Sequence, residues 1–483
     1  MAADNGNPKP QAARGAAQEA GALRQDIAAV MARARAAQRA FEACDQARVD
    51  EVVTAAGWAI VEPRRNRELA ELAVTDSGLG NTTDKILKNH RKTVGLLRDL
   101  ARAKSVGVIA EGNGIVEIAR PVGVVAALTP STNPGATPIN NILNALKGRN
   151  AIVIAPSPKG YRTAVRLVEF VHAELARAGA PRDLVQMLPA PVSKAASAEL
   201  MRQADLAVVT GSQANVRAAY SSGTPALGVG AGNVAVIVDD TADLADAAEK
   251  IARSKIFDNA TSCSSENSAI VLDAVYAGML AEFAKQGGVL LDAGEKSRLQ
   301  AAMFPEGRLS ADFTARSVAR ICEIAGLTRP AAQRARFLMV EENGTGPSFP
   351  FSGEKLSPVL AVYRAREFDH AFDIMRDIYD YQGNGHSCGI YTENDAHVMR
   401  LGLEMTVSRV IVKQSHTFAA GGSFDNALPF SLSMGCGTWG RNSFSENLNY
   451  RHFLNITRIV RTIAPDEPTL EELFGAYRKK HGV

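Results

Sequence analysis

Two periodicities divide the chain. From Asp26 to about Leu100, apolar residues return at helical spacing, as at Ile27, Val30, Met31 and Ala34. This predicts an amphipathic helical lead-in whose Arg and Lys residues mark solvated faces. After the Gly-containing turn at 111–114, short apolar runs alternate with helical stretches: PVGVVAAL (121–128), NAIVIAP (150–156), LVQML (184–188), LAVVTG (206–211) and VAVIVD (234–239). Between them, Ala164, Leu167, Val168, Val171 and Leu175 share one helical face and Gly179 supplies a stop. Strands alternating with helices predict an α/β fold built on a parallel, doubly wound sheet. Ligands bind at the carboxyl ends of such strands. The turns containing Pro156, Ser157 and Lys159 and containing Thr210, Gly211 and Ser212 are therefore expected beside a nucleotide. A second α/β pattern begins at Asp240, 341–353 reads as a surface loop, and a Pro-rich tail after Ile463 closes the chain.

Composition narrows the function classes. With 483 residues, 46% hydrophobic and 22% charged, the chain is long enough for two or three domains. A balance of 54 basic against 51 acidic residues has no basic block that would track nucleic acid. No apolar stretch approaches the ~18 residues of a membrane span. The five cysteines are scattered without CxxC spacing, which fits a reducing cytoplasm better than a disulfide framework or a metal site. Residues 1–23 read as a disordered tail. The helix that follows fits an ordinary packing role, with a docking peptide for a larger assembly as the alternative.

Candidate chemistry concentrates at Cys263, in FDNATSCSSENS, between an amphipathic helix and the apolar run Ala269–Leu272. A thiol at a polar helix-to-strand junction is within reach of substrate, whereas most free cysteines are buried and inert. No HExxH or Cys/His cluster implies a metal, and no GxSxG elbow implies a serine hydrolase. The one literal GxGxxG, Gly435–Gly440, lacks the strand–turn–helix context of a dinucleotide fingerprint, so its glycines are expected to let backbone pass close to a buried pocket. The Gly-rich stretches 228–233 and 383–389 suit tight turns or a small-residue channel to Cys263.

Six segments taken in order, TPSTNP (129–134), AAYSSGTPALGVGAGN (218–233), SKIFDNATSCSSENS (254–268), GEKLSPVLAVYRA (353–365), GNGHSCGIYT (383–392) and GCGTWGRNSFSEN (435–447), resemble the CoA-acylating branch of the aldehyde dehydrogenase superfamily. The resemblance covers about residues 24–463. It implies an aldehyde dehydrogenase fold with a Rossmann-like cofactor domain (24–239), a β-hairpin of an oligomerisation arm (107–120), an α/β catalytic domain (240–430) and a C-terminal return (431–483). It also implies that Cys263 attacks an aldehyde and that the resulting thioester is passed to CoA after hydride transfer to NAD or NADP. Hydrolytic members carry a glutamate where this chain reads Val229-Gly230-Ala231-Gly232-Asn233, and water needs that base more than a thiol does.

By the same resemblance, the oxyanion donors are the backbone N–H of Cys263 and a side chain of Thr132 or Asn133, and His386 is a polar group near the thioester or nicotinamide. Gly230, Gly232, Glu354 and Leu356 belong to the cofactor site, with Glu354 on the nicotinamide ribose. Lys159, following a turn that lacks the usual ribose-binding glutamate, tolerates a 2′-phosphate. Lys413, His416 and Arg441 replace small neutral residues beside the aldehyde pocket. Their convergence would favour an anionic aldehyde, sulfoacetaldehyde, over acetaldehyde or propionaldehyde. The rival readings are a hydrolytic semialdehyde dehydrogenase and a non-catalytic compartment scaffold. The partners expected are an aldehyde, CoA and further copies of the chain in a dimer or tetramer, with no nucleic acid, membrane or metal.

Overall fold

The computed structural model describes residues 10–483, with side chains from residue 18 onward. Residues 1–9 of the expected tail lie outside the described residues. Residues 10–23 are not disordered but form the first turns of α1 (Pro10–Glu42). The lead-in continues through α2 (Gln46–Val61), α3 (Pro63–Ser77) and α4 (Thr82–Ala101). The boundaries have local causes. Asp45 and Asn81 accept the Arg48 and Asp84 N–H groups at the starts of α2 and α4, and Gly78 at φ +66 ends α3. The stripe Ile27, Met31, Ala34 and Phe41 is buried, as its spacing predicts.

β1 (Gly107–Gly112) and β2 (Ile115–Pro121) form the expected antiparallel hairpin. The first sheet is parallel, in the order β5-β4-β3-β6-β7, with β3 (Val124–Thr129), β4 (Ala151–Pro156), β5 (Val185–Met187), β6 (Leu206–Val209) and β7 (Ala226–Gly228). It is connected through α5 (Ala136–Lys147), α6 (Tyr161–Arg177), α7 (Lys194–Gln203) and α8 (Gln213–Tyr220). The second sheet runs β10-β11-β12-β9-β8-β13-β14. Its strands are β8 (Val234–Val238), β9 (Glu266–Leu272), β10 (Gly288–Leu290), β11 (Phe337–Glu341), β12 (Val359–Ala365), β13 (Cys388–Tyr391) and β14 (Val410–Val412), and α9 (Leu244–Ile256) joins β8 to β9. Residues 235 and 237 enter the core on one face and 236 and 238 the core on the other, the period of two that a fully buried strand requires. The closing strand β15 (Leu454–Val460) returns to pair with β2.

Two readings of the chain change. VAVIVD, grouped by sequence with the first half (24–239), pairs with β9 and β13 and opens the second sheet. A run of apolar residues shows a buried strand but not which sheet it joins, and the Gly-rich segment 228–233 is the crossover. The tail after Ile463 does not stay irregular: Leu470–His481 is a helix, begun by a reciprocal capping box of Thr469 and Glu472.

Candidate active site

The helix-to-strand junction at Cys263 is a tight structure. After α9 the chain places Asp258, Asn259 and Ala260 at φ 51, 52 and 57. Asp and Asn tolerate the left-handed region, but alanine does so only under constraint. The constraint is a buried clamp. Asp258 Oδ2 accepts from Lys88 Nζ (2.6 Å), Lys85 Nζ (3.1 Å) and Thr261 Oγ1 (2.7 Å), and Oδ1 accepts from the Asn81 N–H (2.9 Å). A Cβ on Gly80 would overlap Asp258 Oδ1, so only glycine fits there. Beyond the clamp Cys263 is half-buried, two residues before the buried pair Ser265 and Glu266. Burial pushes its thiol up to about 12, and Glu354 and Cys436 add to the rise.

The glycines around this junction do not form a channel. They allow contact. A Cβ at Gly232 would lie 2.6 Å from Cys263 Cβ and overlap its carbonyl oxygen, and one at Gly230 would lie 2.8 Å from Cys436 Sγ. The Gly230 N–H is spent on Asn442 Oδ1 at 2.8 Å. Gly385, at φ +85, packs its Cα against the Cys436 carbonyl, and Gly435 and Gly440 press on Phe444 and Cys436. The GxGxxG segment is thus close-packed loop. Gly232→Ala is expected to displace Cys263 and lower kcat/KM by at least about 10²-fold, since a shift of about 1 Å in a reacting group has that effect. Steady-state kinetics on the folded variant check this.

Thr132 and Asn133 follow β3, whose carboxyl end adjoins those of β4 and β6. The inward residue is Asn133. Its Oδ1 accepts from Lys88 Nζ at 2.8 Å, and because an ammonium only donates, the Asn133 NH₂ is fixed on the other side. Asn133 lines a narrow cleft together with Ser262, Phe257, Thr417, Phe418 and Leu432. Thr132 instead uses its carbonyl to hold Lys85 Nζ (3.2 Å).

Three cations complete the cleft wall: Lys88, Arg91 and Lys92 of α4. Sequence reasoning read this helix's basic residues as a solvated face, yet Lys85, Lys88 and Lys92 are all buried. Their spacing of three and four residues was the available signal, since it puts three ammonium groups on one side of the helix.

The residues expected to hold an anionic substrate lie outside this cleft. Lys413 is turned outward to an exposed ion pair with Glu393 (2.8 Å). Arg441 is exposed at φ 57 after a short 3₁₀ turn. His416 is buried, and its Nε2 meets Ser387 Oγ at 2.8 Å. None of the three lines the cleft. Ser387 Oγ also meets His386 Nδ1 at 2.8 Å, leaving His386 Nε2 buried without a partner. Burial beside the Arg409 charge brings both imidazoles down to about 3, so both are neutral.

The expected cofactor turns follow β4 and β6, the two neighbours of β3. Pro156 ends β4, Ser157 donates its N–H to Thr129 O (3.0 Å), and Lys159 stands exposed in a 3₁₀ turn. Across β3, Thr210 Oγ1 meets Ser433 Oγ at 2.6 Å. A Cβ on Gly211 would meet nothing nearer than 3.9 Å, and Ser212 caps α8. Open space at Gly211 and an exposed Lys159 with no ion pair among the described residues suit a phosphate-bearing cofactor. Glu354 is pushed up to about 8 by burial, against the opposing charges of Lys255 and Lys355. Leu356 is held at φ +43, with its carbonyl accepting the Ala315 N–H (2.7 Å).

Residues 4–301 match the model of the aldehyde dehydrogenase family. The sulfoacetaldehyde dehydrogenase (acylating) of Cupriavidus necator is 62% identical over 467 residues, spanning 96% of this chain and 95% of that protein. The chain belongs to the aldehyde dehydrogenase family. It is an oxidoreductase acting on the aldehyde group. A second relative, the sulfoacetaldehyde dehydrogenase (acylating) of Bilophila wadsworthia, is 42% identical over 93% of this chain and 98% of its own length. The crystal structure of an acetylating aldehyde dehydrogenase from Geobacillus thermoglucosidasius matches this dehydrogenase with a TM-score of 0.89 and 34% identity, over 93% of this chain and 99% of that one. The expected aldehyde dehydrogenase fold is thereby borne out. Among the described residues of the dehydrogenase, no helix is long and apolar enough to cross a membrane.

Proposed function

We propose that this dehydrogenase oxidises sulfoacetaldehyde with NAD(P)+ and CoA to sulfoacetyl-CoA. The observation that carries the acylating half is the segment facing the nucleophile. Gly232 backbone presses on Cys263 where hydrolytic relatives place a base. The Asn233 side chain is turned away to the Ser352 and Gln382 carbonyls (2.8 and 3.1 Å). The similarity to acylating sulfoacetaldehyde dehydrogenases supports the substrate.

In this reading half-buried Cys263 gives its S–H proton to solvent as its sulfur bonds to the aldehyde carbon, and the carbonyl oxygen becomes an oxyanion held by the Asn133 NH₂ and the Cys263 N–H. Bound NAD(P)+ would supply the hydride acceptor; Lys159 and Ser157 would hold its phosphates and Glu354 its ribose. The CoA thiol then attacks the thioester carbonyl as Cys263 leaves. His386 Nε2, buried without a partner, accepts a hydrogen bond from the CoA S–H, whose proton passes to the departing Cys263 sulfur. That lone pair requires Nδ1–H to donate to Ser387 Oγ, whose own proton then goes to His416 Nε2. The protein works in the cytoplasm as a homo-oligomer, with the exposed Val108, Ile115, Ile459 and Val460 of the β1-β2-β15 arm in the contact.

Asn133→Ala is expected to lower kcat by about 10²–10³-fold, and Thr132→Ala by far less, because Asn133 and not Thr132 lines the cleft. Parallel kinetics on the two variants check this. The substrate is tested by kcat/KM for sulfoacetaldehyde, acetaldehyde and propionaldehyde with CoA, using NAD+ and NADP+ in turn. A preference for either neutral aldehyde overturns the sulfoacetaldehyde reading.

A further inference from the structure

The α4 face of the cleft carries more positive charge than its surroundings neutralise. Lys85 and Lys88 share one carboxylate, Asp258. Lys88 has no donor left: its three protons go to Asp258 (2.6 Å), Asn133 Oδ1 (2.8 Å) and Thr261 Oγ1 (2.8 Å). The next two cations are different. Lys92 is buried, which with the Arg91 and Lys88 charges brings it down to about 7, and it meets only two carbonyls, Gly421 O at 2.6 Å and Ser431 O at 3.4 Å. Arg91 uses Nη2 alone, on Phe418 O (3.0 Å) and Ser423 Oγ (2.8 Å), so Nε and Nη1 make no hydrogen bond among the described residues. Asp425 lies near enough to favour the Arg91 charge and Arg253 opposes it, but neither Arg91 nor Lys92 forms an ion pair among the described residues.

The guanidinium is also held in place. It lies over three aromatic rings, Phe418, Phe424 and Phe430, at 5.3, 5.8 and 5.4 Å from their centroids. Such stacking fixes the orientation of the fork without using its N–H donors. Arg91 and Lys92 share the cleft with Asn133 and with Ser262, the neighbour of the nucleophile. A preorganised fork with free donors and a spare ammonium proton, neither paired to a carboxylate among the described residues, is built for an anion.

We infer that Arg91, assisted by Lys92, is the sulfonate-binding group of the active site and sets its preference for a short aldehyde with an anionic tail. This rests on the sulfoacetaldehyde reading above and supplies the residues that the exposed Lys413 and Arg441 cannot. Ser262, next to the nucleophile, lines this cleft, and Lys92 is close enough to Cys263 to feel its charge, which suits a substrate whose anion lies one methylene from the carbonyl carbon. A neutral aldehyde leaves the fork unused.

The test is the ratio of kcat/KM for sulfoacetaldehyde to that for propionaldehyde, both with CoA, in wild type, Arg91→Met and Arg91→Lys. The ratio should fall about tenfold to hundredfold in Arg91→Met, the loss of one or two charge-assisted bonds. It should fall less in Arg91→Lys, which keeps the charge but loses the fork. Independently of any variant's folding, ethanesulfonate should compete with propionaldehyde on the wild-type enzyme far better than 1-propanol does. A wild type that prefers sulfoacetaldehyde with an unchanged ratio in Arg91→Met, or without competition by ethanesulfonate, overturns the Arg91 assignment and leaves the function standing. A wild type with no preference for sulfoacetaldehyde overturns the function itself.

Discussion

Cys263→Ala is expected to abolish turnover with every aldehyde, lowering kcat by at least about 10⁴-fold, while the protein stays folded and binds cofactor. The reaction passes through a covalent bond to sulfur, so removing that atom removes the path rather than one stabilising contact. Among the other cysteines, Cys322, Cys388 and Cys436 are buried, and Cys44 packs against the first sheet's core. Cys436 is the one whose charge Cys263 feels, but its sulfur is packed against Gly230 and cannot substitute. NAD(P)H formation with an aldehyde panel and CoA, alongside cofactor binding by fluorescence, checks the result. More than a trace of CoA-dependent activity in the folded variant would remove Cys263 as the nucleophile.

The second large effect is on stability. Asp258→Asn is expected to cost about 3–5 kcal/mol, because it leaves Lys85 and Lys88 buried with no carboxylate. Burial already brings Lys85 down to about 8 despite Asp258, so losing the partner drives it toward the neutral form. The same carboxylate holds three successive residues at positive φ just before Cys263. The variant should therefore lose activity beyond what its reduced folded fraction explains. Urea denaturation with kinetics measured well below the midpoint separates the two effects. A variant as stable as wild type would show that the clamp does not hold the turn.

What the sequence disclosed follows from which physical signals are local. The alternation of strand and helix is local, and so is the junction at Cys263, where α9 and β9 sit on either side as their patterns predict. Sheet membership is not local. Val234–Val238 reads as a buried strand, but only its partners β9 and β13 assign it to the second sheet. Basic residues on an amphipathic helix are ordinarily solvated, and that default concealed Lys88, Arg91 and Lys92. Their partners are distant in sequence: Asp258 and Asn133 lie 170 and 45 positions from Lys88, and Phe418 lies 327 positions from Arg91. Conversely, Lys413 and Arg441 looked promising because they replace neutral residues in segments near the pocket. A loop residue's direction is set by its backbone, and both stand at positive φ with their side chains exposed. The Gly-rich crossover was recognisable as special, but small residues permit either an open channel or a close contact. The packing of Gly232 on Cys263 decides for contact.

The most direct measurement of the acylating chemistry is product analysis with sulfoacetaldehyde and NAD(P)+, with and without CoA, under otherwise identical conditions. With CoA, NAD(P)H and sulfoacetyl-CoA should form in equal amounts. Without it, production should stop at about one equivalent of NAD(P)H per active site, as Cys263 remains acylated. Continued turnover without CoA, with sulfoacetate accumulating in step with NAD(P)H, would contradict acyl transfer to CoA and make this a hydrolytic enzyme.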